Sequence, residues 1–159
     1  MVGAAGEQGG RGWDGVPGRL DIVIPAESWL LGVLRRAVAV WLSSAGRPQD
    51  DAEPLLFAIG EIVGNSIDHA HPGETIGRIS VTVVCERGAD GLVTARVEVS
   101  DDGRWRVATA CAGRGNGLAL VAAVTSQLDV VPSPTGTRVS LTSRPVALRS
   151  RAAGPSRSR

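Results

Sequence analysis

Residues 57–71 of the chain read FAIGEIVGNSIDHAH, and this stretch decides the fold. From Leu55 to the end of this stretch, apolar residues recur at helical spacing, which predicts an amphipathic helix with one face in the core. These residues are Leu55, Ile59, Ile62, Val63, Ile67 and Ala70. A polar group lies on the opposite face, because residues four, seven or eight apart are stacked on a helix. It comprises Glu61, Asn65, Asp68 and His69.

Such a polar face is, in most helices, only a solvated surface. Two features argue against that interpretation here. Asn is unfavourable within a helix, and long charged side chains are few on this face. A carboxylate at Glu61 and an amide at Asn65, one turn apart, are therefore candidate functional groups. Acidic residues 49–53 lead into the helix, with Pro54 expected in its first turn, and Pro72-Gly73 ends it.

The composition limits the classes of protein to which the chain can belong. Its 159 residues predict one domain, and the net charge of +1 favours neither nucleic acid nor a membrane as a partner. No apolar run approaches the roughly 20 residues of a membrane span, and no secretory signal begins the chain. Cys85 and Cys111 are too few for a disulfide framework and lack metal-ligand spacing. A cytoplasmic location is expected.

All seventeen basic residues are Arg, and the absence of Lys excludes specific chemistry. A phosphate-binding loop of the G-x-x-x-x-G-K-[ST] type is impossible. The strand Lys of eukaryotic-type protein kinases is also missing. Schiff-base catalysis by a side-chain amine is excluded as well.

The N-terminal part of the chain predicts an arm, a strand and a helix. Residues 1–18 are rich in Gly, have no apolar period and are expected to form a flexible arm. Residues 20–24 predict a short strand. A helix is then expected from Glu27 or Ser28 to Gly46. Its predicted apolar stripe comprises Leu30, Val33, Leu34, Ala37, Val38 and Trp41.

After the central helix the apolar period changes to two, which predicts strands. Residues 79–86 and 93–99 alternate in this way, and the ERGADG loop predicts an antiparallel hairpin. A helix is predicted from residue 118 to about 126, followed by strands over 128–131 and 136–142. The order predicts an α+β fold, a two-layer sandwich of a mixed, mainly antiparallel sheet with helices on one face. The domain is expected over residues 19–143, followed by a disordered Arg-rich tail at 144–159.

Three further segments carry polar or Gly-rich patterns. Glycines 113, 115 and 117 precede a helix, where backbone N–H groups can meet a phosphate. Asp101-Asp102-Gly103 ends one strand, and Gly136-Thr137 begins another. Each pattern alone is explained equally well by a turn. Their order behind a helix with a Glu/Asn face is what makes them informative.

In this order, EIVGNSIDHAH, VSDDGRW, GRGNGLALV and GTRVSLT resemble a known family. The set is similar to the ATP-binding fold of gyrase, Hsp90, histidine kinases and MutL, the Bergerat-type fold. The HAH ending and the RGNGL segment most resemble the anti-sigma-factor serine kinases of bacteria. The resemblance covers roughly residues 20–143.

The resemblance implies a nucleotide site with ATP and Mg²⁺ as cofactors. Asp101 would accept a hydrogen bond from the adenine amino group and so select adenine over guanine. Gly103 would let the base lie against the backbone, and Thr137 would lie at the same end.

At the phosphate end, the resemblance implies that Asn65 helps to hold Mg²⁺. Glu61 would act as general base for the attacking hydroxyl or water. Gly113, Gly115 and Gly117 would form the phosphate-facing lid and its junction with the next helix, and Arg114 could approach the phosphates. The resemblance supports the roles of Arg114 and His69 less strongly than the others. His69 is at least as well explained as a surface or packing residue.

The chain also departs from the family pattern. The segment between Gly103 and Gly113 is short, so a small lid is expected, and Trp105 stands where many relatives have a second glycine. No helical hairpin carries a phosphoacceptor His, and no transducer domain follows, so neither a complete histidine kinase nor a gyrase-like enzyme is expected.

Three functions follow from these observations. The first is an anti-sigma factor that phosphorylates Ser or Thr of an antagonist protein, with a sigma factor and the antagonist as partners. The second is a non-catalytic module whose partner binding is controlled by nucleotide. The third is a nucleic-acid contact through the basic tail, which ranks last because the tail has no aromatic residues for stacking. The resemblance also leaves open a homodimer.

Overall fold

The computed structural model describes residues 18–70, 77–103 and 116–148, with only the backbone described at residues 69, 70 and 116. It confirms the predicted α+β class. In chain order the elements are β1 (Arg19–Pro25), α1 (Leu30–Ser44), α2 (Gln49–Asn65), a π-helical turn (Ser66–Ala70), β2 (Arg78–Arg87), β3 (Val93–Asp101), α3 (Asn116–Val124), β4 (Gln127–Ser133) and β5 (Gly136–Thr142).

The five strands form one sheet in the order β1-β2-β3-β5-β4. The predicted hairpin is present, with Val81 opposite Val99, and Gly91 in its loop adopts a φ of 80°. Every pairing among the described strands is antiparallel. The prediction of a mixed sheet implied at least one parallel pair of strands, and the described strands contain no such pair.

Alternation along the strands gives the sheet one apolar and one polar face. The apolar face packs against the helices, and the polar face carries pairs such as Arg138–Glu98 and Arg96–Glu86. This arrangement is the predicted two-layer sandwich, because a sheet with a single apolar face needs helices on that side only. The sheet contributes these buried residues: Ile22, Ile24, Ile79, Val81, Val83, Cys85, Val93, Ala95, Val97, Val99, Val139 and Leu141.

The central helix α2 differs from the prediction at its start and in its last turn, and the predicted stop at Pro72-Gly73 lies outside the described residues. It begins at Gln49, so Pro54 is its sixth residue and not part of the first turn. Pro54 has no N–H to donate to the Asp50 carbonyl, and water can satisfy that oxygen because Asp50 is exposed. The α-helix ends at Asn65 and continues as a single π-helical turn through Ala70. Such turns occur mostly in short pieces within helices, often at functional sites.

Helix α1 buries a narrower stripe than predicted. Its buried residues are Leu34, Val38 and Leu42, one per turn, and it begins at Leu30 rather than at residue 27 or 28. Val33 was predicted to face the core but is 57% exposed. The prediction assumed a broad apolar face, whereas α1 packs against α2 and the edge strand β1. In this position α1 fully buries one row of side chains, while Leu30, Leu31 and Trp41 pack against the core only in part.

Residues 144–148, the first part of the predicted tail, contact the domain. Val146 exchanges backbone hydrogen bonds of 2.8 and 3.0 Å with Val93, and Leu148 packs against the core. Residues 1–17 and 149–159, which include most of the predicted arm and tail, lie outside the described residues. Within the part of the chain that is described, no helix is both long and apolar enough to cross a membrane.

Candidate functional site

The carboxylate of Asp101 lies at the point where three separate segments of the chain meet. Its Oδ1 accepts hydrogen bonds from the backbone N–H of Gly103, at 3.1 Å, and of Thr137, at 3.2 Å. Its Oδ2 accepts a hydrogen bond from the Ser66 hydroxyl at 2.9 Å. These three donors fix the orientation of the carboxylate and leave acceptor capacity on Oδ2, because Oδ1 already accepts two hydrogen bonds.

Local sequence explains this convergence. Asp101 is the last residue of β3, and its contact with Gly103 two residues on is the local turn that Asp favours. Gly136 begins β5 with a φ of 148°, and a Cβ at this position would collide with the carbonyl oxygen of Asp101. A glycine is therefore required for the start of β5 to approach the end of β3 closely enough for the Thr137 N–H to reach the carboxylate.

Thr137 supplies an observation that points to a ligand. The residue is only 5% exposed, and its Oγ1 atom is buried without a hydrogen-bond partner. An unsatisfied buried hydroxyl costs free energy, so native proteins usually give it a partner. Beside the Asp101 carboxylate, this hydroxyl fits the polar edge of a purine, directly or through a water molecule. The residues present therefore fit the adenine end of ATP.

The predicted functional pair lies on the last two turns of α2. Glu61 and Asn65 are both half-buried, and four helical residues separate them by about 6 Å along the axis. Gly117, in the first turn of α3, packs directly against Glu61: a Cβ at Gly117 would lie 2.5 Å from Glu61 Oε2. The absence of a side chain at this position thus brings the N-terminal end of α3 to the Glu61 carboxylate.

Ser66 is a site residue that the sequence reasoning missed. It is buried in the π-helical turn directly after Asn65, and it joins the end of α2 to the carboxylate of Asp101. A serine beside Asn65 could have been considered a site residue. However, no local pattern indicates a partner 35 residues away.

The predicted site residues divide into those that the structure brings together and those that lie outside the described residues. The structure brings together Glu61 with Gly117, and Asp101 with Gly103 and Thr137. Gly113, Arg114 and Gly115 lie outside the described residues, and so does the His69 side chain.

Among the described residues, no group of three His, Cys, Asp or Glu side chains could hold a metal ion. Magnesium bound largely through nucleotide phosphates needs only one or two protein ligands. The single amide oxygen of Asn65 therefore fits such an ion, but these residues do not form a separate metal cage.

The fold defines a class of protein. An antiparallel sheet covered by helices on one face matches the Bergerat-type fold of histidine kinase-like ATPase domains. The chain belongs to the family of histidine kinase-like ATPase domains, whose sequence model matches residues 24–143. Membership implies ATP binding.

Two similar proteins refine this assignment. The serine-protein kinase RsbW of Bacillus velezensis is 34% identical over 62 residues, a match that spans 39% of this chain and 39% of RsbW. A crystal structure of the RsbU and RsbW domains of a Mycobacterium tuberculosis protein superposes with a TM-score of 0.63 at 25% identity. That match covers 82% of this chain and 34% of the longer one. The similarity to RsbW is thus distant.

Proposed function

We propose that the chain is an anti-sigma regulatory factor that binds Mg²⁺-ATP and phosphorylates Ser or Thr of an antagonist protein. In this proposal it also sequesters a sigma factor. Membership of the ATPase family and the similarity to a serine-protein kinase support the proposal. The observation that carries it is the oriented Asp101 carboxylate beside the unpartnered Thr137 hydroxyl, adjoining the helix that bears Glu61 and Asn65.

At the adenine end, this chain's residues would bind and select the base. Asp101 accepts from the adenine amino group, and Thr137 Oγ1 gains the hydrogen-bond partner that it lacks. Guanine would present an oxygen in place of the amino group, so two acceptors would face each other. Such a mismatch costs on the order of 1–3 kcal/mol when buried. Gly103 is buried, and the absence of a side chain lets the base approach the backbone.

At the phosphate end, the roles divide between the two residues on α2. ATP supplies the transferable γ-phosphoryl group. Asn65 would place its amide oxygen on Mg²⁺, and Glu61 would accept the proton of the attacking Ser or Thr hydroxyl. Gly113, Arg114, Gly115 and Gly117 would cover the phosphates in this proposal, with their backbone N–H groups as donors.

Substitutions of Glu61 and Asn65 should have different effects on ATP binding and on phosphoryl transfer, and this difference tests the proposal. In a transfer assay with radiolabelled ATP and a candidate antagonist, Glu61→Gln should keep ATP affinity and lower transfer by roughly 10²–10⁴-fold. Asn65→Ala should impair Mg²⁺-dependent ATP binding as well as transfer. Asp68→Asn, at an exposed position beyond the pair, is the control and should change neither. Full transfer by Glu61→Gln would remove Glu61 as the general base.

The same assay separates the kinase from a non-catalytic module. ATP binding without transfer to any antagonist would leave a module whose partner surface is set by nucleotide. Partners can be found by pull-down with the full chain in Mg²⁺-ATP, in Mg²⁺-ADP and without nucleotide. Recovery of a sigma factor that depends on the nucleotide would support the proposed sequestration. Sedimentation of the full chain would show whether it forms the homodimer that the resemblance left open.

A further inference from the structure

The side chain of Arg47 is a buried cation at the other end of α2. It follows Gly46, whose φ of 79° turns the chain from α1 toward α2, and only 5% of the residue is exposed. Its Nε donates to the Asp51 carbonyl oxygen at 3.3 Å. Its Nη2 donates to Ser143 Oγ at 3.0 Å and to the Arg144 carbonyl oxygen at 3.3 Å. All of these acceptors are uncharged.

The guanidinium of Arg47 is incompletely satisfied. Its Nη1 is buried and has no hydrogen-bond partner, and no carboxylate of the described residues lies within ion-pair distance of the side chain. Burial lowers the pKa of Arg47, and the nearby Cys85 and Asp51 only partly oppose this effect. Buried charges in proteins are normally paired, because removing an ion from water is costly. The partner that the buried guanidinium of Arg47 lacks is therefore an anion.

A cavity of about 210 Å³ adjoins Arg47. It lies where the first turns of α2, the end of α3 and the segment after β5 meet. Part of its wall is apolar, contributed by Pro54, Leu55, Val124 and Val146. Its charged residues are Arg47, Arg144 and Asp51, so the lining carries one net positive charge. This charge balance suits a single negative charge better than a divalent phosphate.

We infer that this cavity binds a small organic monocarboxylate, with the carboxylate facing Arg47 and Arg144 and the hydrocarbon part against the apolar wall. Arginine is well suited to carboxylates, because its guanidinium is planar and always charged. The volume is adequate, since an apolar cavity of about 150 Å³ accommodates benzene. A free acid of three to six carbons would match both the charge and the apolar lining.

The site is separate from the nucleotide site. Asp51 lines the cavity, whereas Asn65 lies fourteen residues further along α2, which is about 21 Å at 1.5 Å per residue. None of the residues that line the cavity belongs to the Asp101 cluster or to the Glu61–Asn65 pair. Occupancy can therefore be tested independently of ATP binding and of phosphoryl transfer.

Methyl NMR of the full chain provides a direct test, with sodium butyrate as the probe and the neutral butyramide as its matched control. Butyrate should shift the methyl signals of Leu55, Val124 and Val146 in a saturable way. The exposed Val23 and Val131 methyls, which do not line the cavity, should stay unchanged. Butyramide should produce no saturable shift. Absence of saturation by butyrate, or equal shifts from both probes, would overturn the inference.

Charge reversal on the cavity wall sharpens the test. Arg144→Glu changes an exposed residue, takes the net charge of the lining from +1 to −1, and should weaken butyrate binding at least tenfold. Arg36→Glu makes the same change on the exposed side of α1, away from the cavity, and should leave the affinity within twofold at ~0.15 M salt. Arg47 itself is less suitable, because its replacement also removes buried hydrogen bonds. Equal affinities for wild type and Arg144→Glu would refute the site.

Discussion

Replacing Asp101 by Asn isolates the role of one acceptor without disturbing the fold. The Asn side-chain oxygen can take the place of Oδ1 and still accept from the N–H groups of Gly103 and Thr137. The new amide nitrogen takes the place of Oδ2, 2.9 Å from the Ser66 hydroxyl oxygen. That hydroxyl can accept as well as donate, so it reverses its role and stays hydrogen-bonded. We therefore expect Asp101→Asn to fold like the wild type.

The affinity for adenine nucleotides, in contrast, should fall clearly. The variant replaces a charged acceptor by a donor where the adenine amino group is expected. A hydrogen bond to a charged group contributes about 1.5–3 kcal/mol. Since about 1.4 kcal/mol corresponds to a factor of ten, the Kd for ATP should rise by about 10- to 150-fold. The new N–H group suits the guanine oxygen, so GTP affinity should hold or increase and the preference for ATP should shrink.

Calorimetric titration with ATP, ADP and GTP measures these changes, and a thermal melt verifies the fold. Asp129→Asn is the matched control: Asp129 is exposed on β4, where it accepts a hydrogen bond from Gln127. This control should bind all three nucleotides like the wild type. If Asp101→Asn folds normally and still binds ATP within twofold of the wild type, Asp101 does not recognise adenine and the proposed orientation of the nucleotide is wrong.

Three further predictions follow from particular contacts. Gly117→Ala should preserve the melting temperature but lower phosphoryl transfer, because its Cβ would displace the Glu61 carboxylate. Gly64→Ala is the control, since no atom lies within 4 Å of its new Cβ. Unchanged transfer by Gly117→Ala would contradict the placement of Glu61 beside Gly117. The free energy of unfolding in urea should be about 1–3 kcal/mol lower for a chain of residues 18–143 than for one of residues 18–148, because the shorter chain lacks the backbone pairing of Val146. Equal urea midpoints for the two chains would refute this prediction. Burial raises the pKa of the Cys85 thiol, so little thiolate is present at pH 8. Site-resolved mass spectrometry should therefore show much slower alkylation of Cys85 in the native chain than in the urea-unfolded chain.

The sequence predicted the elements whose apolar period was strong. The α2 core face and the β2–β3 hairpin were predicted correctly, because apolar spacing determines which face of an element is buried. The Asp101–Thr137 contact was reachable only through the family resemblance. Nothing local to either residue reveals a contact over 36 positions.

The errors share a physical cause, which is that tertiary packing overrides local pattern. The start of α2 before Pro54 depends on water reaching one exposed carbonyl group, and the exposure of Val33 depends on which elements lie beside α1. Ser66 and Arg47 acquire their importance from partners distant in sequence. Their residue types are ordinary at helix ends and in turns, so no pattern distinguishes them before the fold is known.

The three donors to Asp101 also bear on how the site could select its ligand. They come from the end of α2, the turn after β3 and the start of β5, so completing the fold is what orients the carboxylate. An acceptor that is already oriented loses little freedom when a base docks, and rigid sites of this kind favour affinity and selectivity. At the phosphate end, Glu61 and Asn65 come from α2 and Gly117 comes from α3. In the proposed function, adenine selection is therefore a property of the folded core itself, whereas phosphoryl transfer additionally requires the hydroxyl of the antagonist protein.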